Sequence, residues 1–211
     1  MNIRKLLIYL FISLVLLVGC DKKDTNPPSN GDQLPIGSIT DMTSYFYTEQ
    51  NTTWEYQGTG NEYASFTRKV LHRENNLVQI TDNNGGTIMA MVFRLSPEEI
   101  VKIYAEAEFY DDRNILTAQP NRQEIILKSP LQVGAQWQDE IFKSEVISID
   151  EKIEVPAGKY NDVVKIKRTS LKDKDSGENY EYYAKGVGLV MREYISGDFK
   201  VTSQLKAMAK Q

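Results

Sequence analysis

The stretch ISIDEKIEVPAGKYNDVVKIK, residues 147–167, carries the pattern that decides the fold. Its first half places apolar residues at odd positions, namely Ile147, Ile149, Ile153 and Val155. The even positions there are polar or charged: Ser148, Asp150, Lys152 and Glu154. A period of two is typical of an antiparallel strand with one buried and one solvated face. Because Pro156-Ala157-Gly158 follows as a turn, the stretch predicts a β-hairpin.

The same alternation continues over most of the chain from Thr43 onward. Further strands are predicted at about 53–58, 62–72, 76–81, 86–95, 163–170, 179–185, 187–195 and 199–207. Turn residues separate several of these runs, as in Asn83-Asn84-Gly85-Gly86 and Ser196-Gly197-Asp198. The sequence therefore predicts a mainly β fold of antiparallel strands, arranged as one sheet, as two related half-sheets or as a curved half-barrel.

Residues 96–109 fit two kinds of secondary structure. Ser96-Pro97-Glu98-Glu99 has the features of a helix start, with a capping serine, a first-turn proline and an acid three residues later. The segment from Val101 to Phe109, however, alternates between apolar and polar residues as a strand does. Because the segments on both sides are predicted strands, we expect a strand after a tight turn.

An internal duplication is one interpretation of the two tryptophans. Asn51-Thr52-Thr53-Trp54 and Gly134-Ala135-Gln136-Trp137 both place a Trp three positions after a turn residue, and strand-like sequence follows each. Two β sub-sheets built on a common plan, joined by residues 120–134, would explain the pattern. The alternative is a coincidence between two buried tryptophans.

The N-terminal leader has the organisation of a secretory signal peptide. Arg4 and Lys5 precede an apolar run from Leu6 to Val18, which is shorter than the roughly 20 residues that a membrane-spanning helix needs. Leu17-Val18-Gly19-Cys20 resembles the lipobox of bacterial lipoproteins. That resemblance implies cleavage after residue 19 and acylation of Cys20, the sole cysteine. The alternative is ordinary signal cleavage that leaves a free thiol.

These features divide the chain into a signal peptide (1–19), a lipidated Cys20 with a flexible tether (20–42) and an antiparallel β domain (43–211). The tether is rich in Asp, Asn, Pro, Ser and Gly and has almost nothing to bury. Lipidation would anchor the protein at the extracytoplasmic face of the cell membrane. The formal net charge is −4 at pH 7, and loss of Arg4 and Lys5 makes the mature chain more acidic, which argues against a nucleic-acid partner.

Several motifs resemble a group of uncharacterised bacterial secreted or lipid-anchored β proteins. They are YFYTEQNTTWEYQGTGNEYASF (45–66), NNGGT (83–87), SPLQVGAQW (129–137), VPAGKYNDVVKIK (155–167) and YEYYAKGVGLVMREY (180–194). Members of the group share VGxxW, VPAGxFxxV and YYAxGVGLV segments. This chain departs from them at Glu49-Gln50-Asn51, where a sequence closer to Val-Gly-Asn is usual. The resemblance implies a β fold and an exported protein, but no activity.

No catalytic constellation, metal site or cofactor motif is evident. His72 is the only histidine, and GxSxG, SxxK, GxGxxG and phosphate-loop motifs are absent from the sequence. Paired acids such as Glu106 and Glu108 would suit a hydrolase, but acids that alternate outward are usual in a solvated sheet. Residues 173–178 only faintly resemble a calcium loop and are better explained as a hairpin turn.

Aromatic residues are the remaining candidates for a binding site. Tyr180 and Tyr182 are predicted on one strand face and Tyr183 on the other, while Trp54 and Tyr56 lie near the start of the domain. Such side chains suit contact with a small molecule, a glycan or a protein, although a core and rim of large side chains is the alternative. We expect a non-catalytic binding or structural role. The alternatives are carriage of a lipid or other apolar ligand in a curved half-barrel, and hydrolysis by paired carboxylates.

Overall fold

The structure is a computed structural model that describes residues 37–173 and 177–210. The predicted signal peptide, the lipobox with Cys20 and most of the predicted tether lie outside these residues. The centre of the 173–178 loop, which faintly resembles a calcium site, also lies outside them.

The described chain begins with a short 3₁₀ helix, Met42–Tyr45, and continues as β-strands. The strands are β1 (Thr52–Thr59), β2 (Phe66–Glu74), β3 (Leu77–Asn83), β4 (Ile88–Leu95), β5 (Glu99–Glu106), β6 (Glu124–Lys128), β7 (Gln136–Gln138), β8 (Phe142–Val155), β9 (Gly158–Ser170), β10 (Glu178–Ala184), β11 (Gly188–Ser196) and β12 (Phe199–Lys210). Among the described residues, no helix has the length and apolar character needed to cross a membrane.

All twelve strands form one antiparallel sheet in the order β6-β5-β4-β3-β2-β1-β12-β11-β10-β9-β8-β7. Each half of the chain is a six-stranded meander, and the pairing of β1 with β12 joins the two halves. The sheet curls until it is nearly closed, which confirms the predicted mainly β fold. The halves are therefore parts of one continuous sheet, with β6 and β7 at its two ends.

Within residues 96–109, which fit both a helix and a strand, the structure has strand β5, as predicted. Ser96, the candidate helix cap, instead starts a tight turn, because its backbone N–H donates to Glu99 O and its Oγ accepts from Glu99 N, at 2.9 Å and 3.0 Å. Strand β5 begins directly after this turn. The expectation that residues 120–134 only join two sub-sheets is wrong, because β6 lies within them and pairs with β5.

The 147–167 hairpin forms with its turn where the sequence predicts it, and Val155 pairs with Gly158 across the turn. The predicted shared face of Ile147 and Ile153 is wrong. A bulge between Val146 and Ser148 shifts the register, so Val146 is fully buried whereas Ile147 is only half-buried. One extra residue in a strand transfers the following side chains to the opposite face.

The N-terminal part of the described chain is packed onto the sheet before the expected domain start at Thr43. Ile39 forms an antiparallel bridge with Leu131, and Met42 is fully buried. The turn that contains Gly186 and Gly188 contacts this segment, because Gly186 N–H donates to Ser44 O at 2.8 Å. Gly188 has a φ of +90°, and a Cβ there would meet Tyr47 N at 3.4 Å.

Candidate functional site

The interior of the curled sheet holds a cavity of about 340 Å³ that is lined by charged side chains. Volumes of this order are at the lower end of the range for small-molecule sites. The charged residues come from seven different strands and all point to the inner face: Arg68, Asp82, Lys102, Glu124, Arg168, Glu181 and Arg192.

These groups form one continuous chain of alternating charge, which begins at Arg68. The Arg68 guanidinium donates twice to Asp82, with Nε–Oδ1 at 2.7 Å and Nη2–Oδ2 at 2.8 Å. Arg192 follows, with its Nη2 3.6 Å from Asp82 Oδ2 and its Nε 3.9 Å from Glu181 Oε1. The Arg192 side chain is 38% exposed, so this part of the cavity wall reaches solvent.

The second part of the chain runs from Glu181 to Lys102. Arg168 Nη1 lies 3.6 Å from Glu181 Oε2 and 3.1 Å from Glu124 Oε1. Lys102 Nζ donates to Glu124 Oε2 at 2.9 Å, and the Tyr183 hydroxyl donates to Glu181 Oε2 at 2.7 Å. Because Glu124 lies on β6 and Arg168 on β9, the ion pair between them joins the two halves of the sheet.

The carboxylates of this chain stay ionised despite their burial. Burial alone would raise the pKa of Glu124, but the charges of Lys102 and Arg168 outweigh it and hold that pKa below its ordinary value. The same balance lowers the pKa of Asp82 beside Arg68 and of Glu181 beside Arg168. A buried carboxylate with a lowered pKa is a structural partner for a cation and a poor general acid.

Arg168 is the most buried cation whose hydrogen bonds are incomplete. The residue is 5% exposed, and its Nε and Nη2 have no hydrogen-bond partner among the described residues. Ser144 is the register partner of Arg168 on the neighbouring strand β8, is fully buried and also has an unpartnered Oγ. Phe142 lies beneath the guanidinium, with the ring centroid 4.2 Å from Arg168 Cζ.

The cavity lining also includes apolar side chains, which we call the apolar wall. Its residues come from the segment before β1 and from strands β4, β6 and β8: Phe46, Met89, Met91, Phe93, Ile126 and Phe142. The cavity therefore combines charged donors with an apolar surface, as sites for amphiphilic small molecules do.

Tyr183 is the one predicted binding aromatic that lines the cavity. Burial, together with the neighbouring Glu181 charge, raises the pKa of its hydroxyl well above the ordinary value, so it stays protonated and donates. Tyr180 and Tyr182 share the other face of β10, as the alternation predicts, and Lys165 Nζ lies 4.6 Å and 5.3 Å from their ring centroids. The five predicted aromatics therefore do not form one site.

Trp54 and Tyr56 are buried, which fits the alternative of a core and rim of large side chains. Trp54 Nε1 donates to Val187 O at 3.1 Å, and the Tyr56 hydroxyl donates to Leu189 O at 2.8 Å. Burial raises the pKa of Tyr56 to about 12. These two hydrogen bonds connect β1 to the backbone at Val187 and Leu189, so both side chains stabilise the fold. Tyr182 and Tyr183 are also buried, and Tyr180 is half-buried.

The charged cavity residues were missed in the sequence because charged residues in strands are usually solvated. A signal was nevertheless present, since each follows the phase of buried neighbours. Arg168 continues the inward series of Val164 and Ile166, and Arg68 lies between Phe66 and Val70. The sequence pattern that identifies such residues is a charged residue in phase with the apolar residues two positions before or after it in the strand.

The other candidates from the sequence lie outside this cavity. His72 Nε2 lies 2.8 Å from Asp112 O and is satisfied by that contact. Glu106 accepts hydrogen bonds from Tyr104 and Arg113 near the surface. Among the described residues, no cluster of three or more potential metal ligands is present.

No protein-family model matches the chain, and no curated protein matches it. A solved structure from Bacteroides fragilis NCTC 9343, provisionally described as an exported protein with a YmcC-like fold, is 14% identical with a TM-score of 0.49. The match covers 79% of this chain and 99% of that chain. A structure from Parabacteroides distasonis ATCC 8503, provisionally described as a lipoprotein, is 18% identical with a TM-score of 0.49 and coverages of 78% and 98%. Likeness at this level carries no functional argument.

Proposed function

We propose that this protein is a lipid-anchored, extracytoplasmic binding protein whose interior cavity holds a small molecule. The observation that carries the proposal is the cavity of about 340 Å³, in which a chain of buried charges faces an apolar wall. Holding seven charged groups inside a sheet costs desolvation free energy that an apolar filling would avoid. A ligand that uses these groups would explain why the interior is polar.

The mixed lining distinguishes this function from the two alternatives. A carrier of a wholly apolar lipid would need a continuous apolar cavity, whereas this one has ionised groups around it. A hydrolase with paired carboxylates would need one acid with a raised pKa. The pKa values of Asp82, Glu124 and Glu181 are instead lowered by their arginine and lysine neighbours. The proposed role is therefore binding without catalysis.

Native mass spectrometry of the protein purified from its own host tests the binding role. We expect a retained small molecule that is lost when Met89→Trp fills the cavity. Val133→Trp is the matched control, because Val133 is 64% exposed and lies away from the cavity. A ligand retained equally by both variants, or by neither variant nor the parent protein, would refute interior binding.

Metabolic labelling with an alkyne fatty acid tests the anchor, whose support is the LVGC sequence at residues 17–20. The parent protein should take up label and sediment with membranes, because two acyl chains hold a protein stably on a bilayer. Cys20→Ser should abolish both behaviours, and Cys20→Ala should act in the same way. A protein that takes up no label and behaves identically after Cys20→Ser is not lipid-anchored.

A further inference from the structure

The charges that line the cavity do not balance. Four cations face three carboxylates, and every carboxylate is already shared between two of those cations. Arg122 also reaches Glu124, at 3.4 Å, but it is not among the residues that line the cavity. The interior thus carries an excess of one positive charge.

The unused hydrogen-bonding capacity of the lining is concentrated at Arg168. Both acids near this residue contact the same nitrogen, Nη1, so Nε and Nη2 have no hydrogen-bond partner within residues 37–173 and 177–210. A buried N–H group with no partner destabilises the fold, because its lost hydration is not replaced. Together, Nε–H and Nη2–H of this 5% exposed guanidinium form a bidentate fork, which is the geometry that binds a carboxylate and the one by which Arg68 holds Asp82.

Ser144, on the neighbouring strand, has a further unpartnered polar group among the described residues. It lies directly opposite Arg168 in the β8–β9 register, and side chains at opposed positions of an antiparallel pair point to the same face. Its Oγ is buried and has no partner among the described residues. Arg168 and Ser144 therefore occupy neighbouring positions on one face of the sheet, and Arg168, but not Ser144, is among the residues that line the cavity.

We propose that the cavity binds a small amphiphilic acid, with its single carboxylate on Arg168 and Ser144 and its tail along the apolar wall. This inference rests on the proposed binding function and names its ligand class. One carboxylate neutralises the single excess positive charge of the lining, whereas a dianion would leave one of its own negative charges unpaired. At roughly 30 Å³ for each water-sized group, the cavity accommodates roughly eleven non-hydrogen atoms, which is close to the size of octanoate.

Isothermal titration calorimetry with three probes tests the charge requirement. The protein is the chain from residue 20 onward carrying Cys20→Ser, which keeps it in solution and leaves all twelve strands intact. Octanoate should bind saturably at one site. Octanamide, which has the same tail and the same size without the charge, and inorganic phosphate, which has charge without the tail, should each bind at least tenfold more weakly. Equal binding of octanoate and octanamide, or no binding of octanoate, overturns the inference.

Ser144→Asp tests the position by placing a carboxylate of the protein's own where the ligand carboxylate would lie. Ser144→Asn is the matched control, with nearly the same shape and no charge. The acidic variant should melt at a higher temperature than the control and should lose octanoate binding at least tenfold. A buried carboxylate without a free cation would be strongly destabilising, so an acidic variant that melts below the control contradicts the inference.

The inference and the proposed function can fail separately. A neutral molecule retained from the host, found by native mass spectrometry and displaced by Met89→Trp, would uphold interior binding and refute the carboxylate. A retained molecule with one carboxylate, absent from Ser144→Asp and present in Ser144→Asn, supports both.

Discussion

The two halves of the sheet meet at two junctions that are built differently. At the first, β1 and β12 pair backbone to backbone from Thr52 opposite Lys210 to Thr59 opposite Thr202, with a single irregularity. At the second, β6 and β7 are the ends of the sheet, and no backbone ladder joins them in the described chain. We refer to these as the paired junction and the seam.

Side chains replace the ladder at the seam. Ile125 on β6 donates its backbone N–H to Asp139 Oδ2 at 2.8 Å, and its carbonyl accepts from Trp137 Nε1 at 3.1 Å. The Glu124–Arg168 ion pair crosses the seam from inside the cavity. The paired junction thus depends on backbone hydrogen bonds, whereas the seam depends on a few side chains and on charges that line the site. We therefore expect side-chain substitutions and low pH to open the sheet at the seam before the paired junction.

Lowering the pH should produce the largest difference in stability between the two junctions. The pKa values of Asp82, Glu124 and Glu181 lie below the ordinary values of 3.8 for Asp and 4.5 for Glu. Their stabilising effect is therefore complete above about pH 4.5 and is lost as the pH falls through the folded-state values. Once protonated, they leave the four cations of the cavity lining facing one another without a negative partner.

Hydrogen exchange followed by mass spectrometry over pH 2 to 7, corrected for intrinsic rates, measures this separation. Residues 124–128 of the seam should lose protection at a higher pH than residues 52–59 of the paired junction. Simultaneous loss of protection in both segments would show that the seam is no weaker than the ladder.

Glu124→Gln is expected to have the next largest effect. The substitution leaves Lys102 and Arg168 without their shared carboxylate, and breaking a buried ion pair costs about 3–5 kcal/mol. Urea denaturation should show this loss of unfolding free energy. Glu154→Gln, in an exposed pair with Lys159, serves as the control and should leave the midpoint unchanged. A loss below about 1 kcal/mol in Glu124→Gln would contradict the buried network.

Asp139→Ala should weaken the seam to an intermediate degree. Besides Ile125 N, the carboxylate accepts from the backbone N–H groups of Ile141 and Phe142 at 2.7 Å and 2.8 Å. Their loss should cost about 2 kcal/mol, since three backbone donors lose a charged acceptor. Asp139→Asn keeps an acceptor oxygen and should cost less. Thermal denaturation of the two variants checks the order, and equal midpoints would contradict it.

Lys206→Ala at the paired junction should have the smallest effect. Its ion pair with Glu55 links β12 to β1 at 3.2 Å, but both side chains are more than half exposed. An exposed ion pair contributes less than about 1 kcal/mol, and the backbone ladder stays intact. A shift in the urea midpoint as large as that of Asp139→Ala would mean that side chains hold both junctions.

The contrast between the junctions also shows which features local sequence encodes. The 147–167 hairpin, the strand after Ser96 and the bend at Gly186–Gly188 follow from alternation and turn residues, which act over a few positions. The pairing of β1 with β12 joins the two ends of the domain, and strand periodicity contains no information about such a partner. The bulge after Val146 likewise changes the phase of a strand without a local signature.

The site was harder to predict from sequence than the fold. Arg68, Glu124 and Arg168 are inward residues of strands in which outward charges are common, and only their phase distinguishes them. Their ion-pair partners come from other strands, so the network exists only after the sheet has curled. The duplication remains a hypothesis, although Trp54 on β1 and Trp137 on β7 each donate to a backbone carbonyl at 3.1 Å.

Nuclear magnetic resonance of the arginine Nε–H groups, recorded while octanoate is added, tests the interior site most directly. The Arg168 signal should shift and saturate with the ligand, because its Nε has no hydrogen-bond partner in the part of the chain that the structure describes. The Arg68 signal should change little, since its Nε donates to Asp82. An Arg168 signal that stays unchanged while octanoate binds, or shifts confined to surface residues, would contradict an anion-binding site inside the sheet.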